Sequence, residues 1–134
     1  MQCEIRIKLK DDQGNAFGGI GSIWLLENIQ SYGSVRAAAA AMELSYPKAL
    51  KLIKTLEENL GYQVVMRSKG GAAHGGAELT PAGLLFLEEF RKFFNKLQQE
   101  TDREAAIFWR MVQKSKELLT IILAIMLPLL GACQ

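Results

Sequence analysis

Cysteine, histidine and proline are scarce in this chain, which holds two, one and three of them in 134 residues. Cys3 and Cys133 stand at opposite ends with no metal-ligand spacing between them, which argues against a disulfide framework and a structural zinc. The single His74 has no cysteine, aspartate or second histidine beside it, and nothing in the sequence sets it next to a nucleophile. No catalytic constellation, metal site, cofactor or small-molecule site is therefore expected, and the chain reads as a non-enzyme. An excess of one charge is also missing: sixteen Lys and Arg against fourteen Asp and Glu leave a net charge of +2. Any attraction to a polyanion must come from how the charges are distributed. No apolar run follows a basic start at the N-terminus, where Ile5, Ile7 and Leu9 alternate with Arg6, Lys8 and Lys10. That reading gives a cytoplasmic protein.

What the chain has is enough apolar residues for one core, 49% of the total, and a sequence of local signals. The period of two over 5–10 predicts a strand, 11–15 a turn, and Ala16 and Phe17 a short return strand that Gly18, Gly19 and Gly21 break. Ser22 is positioned to cap a helix over 23–31 with Ile23, Leu25, Leu26 and Ile29 as its apolar stripe. Ser34 caps an alanine-rich helix over 35–42 that is suited to close packing. Ser45 caps a third helix, with Pro47 in its first turn, that ends at Gly61. A β-favouring run over 63–67, the glycine-rich stretch 70–76 and a return at Glu78 and Leu79 predict a hairpin with a long tip. Thr80 then caps, and Pro81 opens, a long helix with Phe86, Phe90, Phe93 and Leu97 on one face. The fold class expected is α+β, mainly α: a winged helix-turn-helix over 1–79 with an N-terminal β-hairpin, followed by a long dimerisation helix over 80–117 and an apolar tail over 118–134.

At about 100° per residue, Ala49, Ile53, Leu56 and Leu60 fall on one side of the third helix while Lys48, Lys51, Lys54 and Thr55 face away. A recognition helix needs that arrangement, with its first turns against base edges and its lysines near phosphates. Tyr46 and Lys48 are the expected base readers. Ser34, Arg36 and Ser45, with the amides at their helix starts, are expected on phosphate oxygens. Lysines opposite an apolar stripe are also what any solvated helix shows. The hairpin tips the balance, because Arg67 and Lys69 flank a tip of Gly70, Gly71, His74, Gly75 and Gly76 that contains no acid. A rival class keeps the same fold and offers its basic face to an acidic protein.

Four stretches extend this reading: FGGIGSIWLLENI, GSVRAAAAAMELSYPKALKLI, the wing SKGGAAHGGAELT and the TPAG that opens the long helix. Over 17–83 they resemble the N-terminal domain of the ModE family of molybdate-responsive regulators, which is itself similar to LysR-type winged helices. The resemblance implies a homodimer on duplex DNA, joined through the long helix and controlling molybdate uptake or molybdenum enzymes. It places Ser34, Arg36, Ser45, Tyr46, Lys48, Lys51 and the wing over 67–76 toward DNA. Family members carry a pair of small β-barrel domains that bind molybdate, and these do not follow here, so sensing by this chain is not expected.

Three readings stand for the apolar segment 118–133, which is shorter than the roughly 20 residues of a spanning helix and is interrupted by Pro128. One is a buried helix in a dimer interface or against the domain. Another is a lipoprotein signal at a gene junction, with Lys114 and Lys116 before an apolar region that ends in Leu130, Gly131, Ala132 and Cys133. A third is contact with a membrane.

Overall fold

The computed structural model describes residues 1–68 and 76–132. Elements follow in the order β1 (Lys8–Lys10), β2 (Ala16–Gly19), α1 (Ile20–Tyr32), α2 (Val35–Ala41), α3 (Tyr46–Leu60), β3 (Val65–Arg67), β4 (Ala77–Leu79) and α4 (Pro81–Gly131). They fall into two compact units, one of Arg6–Phe94 and one of Met1–Ile5 with Asn95–Gln134. The mainly helical class with two small hairpins is the one the sequence predicts.

Within Arg6–Phe94, β1 and β2 pair antiparallel, Lys8 opposite Gly19 and Leu9 opposite Gly18, with an irregularity before Lys10. The turn between them is held by the Asp11 carboxylate, which accepts the amides of Gln13 at 2.9 Å and Asn15 at 2.8 Å. The amide of Asn15 is the main cause that keeps this carboxyl below its ordinary value. Gly18 and Gly19 do not break the strand, as the sequence reading has it, but complete it. A Cβ on Gly19 would stand 2.8 Å from the Ile7 carbonyl, so the glycine allows the two strands their close approach.

Helix α1 starts three residues earlier than the expected 23, straight out of extended Gly19, without a side-chain cap. Ser22 is consequently a buried residue inside the helix rather than its cap. The expected stripe of Ile23, Leu25, Leu26 and Ile29 is buried throughout. Gly33 closes α1 in the left-handed region, and the Ser34 hydroxyl accepts from the Ala37 amide at 2.9 Å to open α2. Ala38 and Ala39 are buried, so α2 seats on its neighbours through side chains that hold it at short range. Helix α3 runs from its Ser45 cap to a left-handed Gly61.

In the first part of α4 the Thr80 hydroxyl accepts the Gly83 amide at 2.9 Å and caps the helix. Its core face is Gly83, Leu87 and Phe90, with Phe94 packed partly against it. Of the face drawn from the sequence, Phe90 is buried and Phe86 packs against the core, while Phe93 is 47% exposed. Among the described residues the large side chains of Leu25, Leu26, Ile29, Leu56, Leu87 and Val64 are almost wholly removed from water. Each contributes roughly 1.5–3 kcal/mol of burial.

The second unit holds the remainder of α4. The helix passes through 117 without a break and includes Pro128. Proline's fixed φ is helical, but Pro128 has no N–H to donate to the Ala124 carbonyl, so one bond of the helix is missing there. Residues 118–132 are exposed, so among the described residues nothing covers this stretch in the way that burial against the domain requires.

Candidate nucleic-acid interface

Helix α3 supplies the centre of the candidate surface. Ala49, Ile53 and Leu56 point into the core and Leu60 is half-buried, while Lys48, Lys51 and Lys54 are exposed. The wheel drawn from the sequence therefore holds for its lysines. Thr55 sits lower, half-buried, with its backbone carbonyl accepting from Asn59 Nδ2 at 2.9 Å. Lys54 approaches Glu58 at 3.9 Å, both largely in solvent. A pair of that kind contributes little and leaves the ammonium available to an anion.

Tyr46 has two jobs. Its ring is half-buried against the core, and the Arg36 guanidinium lies over it 4.4 Å from the centroid. This cation–π contact joins the start of α2 to the start of α3 and fixes a long cationic side chain at the rim of the surface. The Ser45 hydroxyl accepts the Lys48 amide at 3.3 Å and is exposed, so its own hydrogen remains free to donate. Ser34 uses its oxygen in the same way on α2.

The wing stands beside α3 because five hydrogen bonds hold its base. Val65 pairs with Leu79, Met66 with Glu78 and Arg67 with Ala77. The Ala77 amide donates to the Gly33 carbonyl at 2.7 Å, tying β4 to the turn between α1 and α2. Glu57, one turn from the end of α3, accepts the Val64 amide at 2.7 Å and the Val65 amide at 3.5 Å. Thr80 closes the other side: its amide donates to the Val64 carbonyl at 3.0 Å and its hydroxyl to the Gln63 carbonyl at 2.7 Å.

Ser34, Arg36, Tyr46, Lys54, Arg67 and Gly76 are thus brought together along one open groove of about 1390 Å³ between α3 and the wing. Ser45, Lys48, Lys51 and Thr55 are not in its lining. Lys69, Gly70, Gly71, His74 and Gly75 lie outside the described residues. Sequence reasoning missed Glu57, Thr80 as a wing anchor, and Gly83. Glu57 had a signal: it lies only about 40° around the helix from Ile53, inside the apolar stripe, where a carboxylate needs a partner. Glu57→Ala is expected to leave the buried Val64 amide unpaired and to lower stability by about 1–3 kcal/mol. Chemical denaturation measures the total, and faster amide exchange at Val64 locates it.

Comparison with known proteins gives a consistent picture. Residues 22–84 match the family described as bacterial regulatory helix-turn-helix protein, lysR family. The chain is similar to the molybdenum transport protein ModE of Azotobacter vinelandii, 34% identical over 98 residues that make up 73% of this chain and 36% of that protein. It is also similar to the HTH-type transcriptional regulator TfdS of Cupriavidus pinatubonensis, 36% identical over 74 residues, 55% of this chain and 23% of the relative. Among solved structures it resembles a CbnR DBD–DNA complex, with a TM-score of 0.53 and 30% identity over 64% of this chain and 93% of that one. The chain spans about a third or less of the length of these curated relatives. None of the three is named as an enzyme.

Proposed function

Because this chain belongs to the bacterial regulatory helix-turn-helix proteins of the lysR family, we propose that it is a sequence-specific, duplex-DNA-binding transcriptional regulator. The observation that carries the reading is the groove in which Arg36, Lys54 and Arg67 converge beside the exposed Lys48 and Lys51 of α3. Cations gathered on this face suit the phosphates that border a major groove receiving α3. Lys48, in the first turn, reads base edges. Lys51 and Lys54 hold the backbone. Arg36 is presented to a phosphate in one orientation because it rests on Tyr46. The similarity to a structure of a DNA complex supports the partner.

The molecule acts as a homodimer through α4, with two recognition helices on a palindromic site. Exposed Phe93, Ile107 and Phe108 support this, since apolar side chains on a long helix call for cover. Phe93→Asp is expected to shift the sedimenting species from twice the 14.9 kDa chain mass toward the single chain. The same substitution should weaken operator binding at least tenfold, as a fluorescence anisotropy titration would record. An unchanged sedimentation profile rejects α4 as the dimer contact.

The regulated genes are those of molybdenum uptake or use. Similarity to a molybdenum transport protein supports this, together with the wing and TPAG sequence that resemble the ModE family. Selection of bound sequences from a pool of random duplexes tests both levels. A recovered inverted repeat that lies upstream of molybdate-transport genes supports the full reading, and a repeat located elsewhere removes the molybdenum part. Recovery of no preferred sequence, with binding to acidic proteins instead, overturns the regulator itself.

A further inference from the structure

DNA recognition leaves one stretch of α4 unused, and its composition points to a different solvent. The large aliphatic residues over 118–130 expose 50–70% of their surface. No charged residue occurs between Glu117 and Ala132, and the one hydroxyl, Thr120, donates to the Lys116 carbonyl at 2.9 Å. Every polar side chain of the stretch is therefore satisfied inside the helix. At about 100° per residue the large aliphatics cover roughly two thirds of the circumference, and the small residues Thr120, Ala124, Pro128 and Gly131 take the rest.

A second copy of the chain would cover one stripe of such a helix, about 100° wide, and leave most of the apolar surface in water. Apolarity on nearly every side calls for an apolar medium on every side. The approach to the stretch is cationic, since Arg110, Lys114 and Lys116 stand within eight residues of Leu118 against the single Glu117. Basic side chains with long alkyl stems reach from an embedded helix to anionic headgroups. Residues 118–131 rise about 21 Å, against about 30 Å of bilayer hydrocarbon. Among the described residues no helix is long and apolar enough to cross a membrane.

We infer that residues 118–131 embed in one face of an anionic lipid bilayer without crossing it, with Arg110, Lys114 and Lys116 at the headgroups. This inference does not depend on DNA binding. The test is flotation of the full chain with vesicles of phosphatidylcholine, with and without one quarter phosphatidylglycerol. The chain is expected to rise with both, more with the anionic vesicles. Leu123→Asp combined with Leu127→Asp should stay in the lipid-free fraction while keeping the cooperative unfolding of the parent. Lys114→Gln with Lys116→Gln leaves the apolar surface intact and should lose about fivefold per lysine, on the anionic vesicles alone. An intact chain that remains lipid-free overturns the inference, as does an aspartate variant that floats like its parent. If the aspartate variant does not fold, the lysine variant decides: unchanged affinity for the anionic vesicles overturns the inference equally.

Discussion

Gly83→Ala is expected to destabilise the Arg6–Phe94 unit by on the order of 3 kcal/mol or more. Gly83 is buried in the first turns of α4, and a Cβ there would be driven into the Val64 carbonyl. Neither partner can yield cheaply. The Gly83 amide is held by the Thr80 hydroxyl, and the Val64 carbonyl accepts the Thr80 amide. To admit a methyl group, α4 must lift from the base of the wing, which breaks the Thr80 contacts and uncovers Leu87 and Val64. A lower denaturation midpoint with an unchanged slope would register the loss. A change within about 0.5 kcal/mol would show that the wing and α4 are not locked in this way.

Substitutions on α3 should separate into two kinds. Lys48→Ala, in the first turn, is expected to lose about tenfold to a hundredfold on the preferred duplex and much less on random duplex, flattening the preference. Lys51→Ala should instead weaken binding to every duplex and lower the salt dependence by about one, as the loss of a single phosphate contact does. Both residues are exposed and lie outside the core, so stability should hardly change. Titrations at several salt concentrations distinguish the two. Equal losses for both variants on both duplexes would deny Lys48 a role in reading bases. Tyr46 is a poorer probe, because its removal also empties part of the core and frees Arg36.

The parts of this architecture legible in the sequence are those fixed by local chemistry. Ser34, Ser45 and Thr80 cap helices from one side of each start, and Gly33 and Gly61 close helices in the left-handed region. The lysine face of α3 follows from helical periodicity alone. Features set by distant parts of the chain were not legible. Gly18 and Gly19 look like breakers until Ile7 is placed against them. Gly83 looks like any helix residue until Val64 lies across it. Glu57 carried a hint in its wheel position but none of its partner, seven residues away in sequence. That α4 continues unbroken past 117 to Gly131 was not legible, because the change to an unbroken apolar run at Leu118 reads equally as a separate tail.

The central claim is that α3 and the wing together discriminate among duplex sequences. Competition binding at about 0.15 M salt tests it most directly, pitting the duplex recovered by selection against a scrambled duplex of the same length and composition. The account predicts a preference on the order of 10³ or more for the selected duplex. Equal affinity for the two would contradict it.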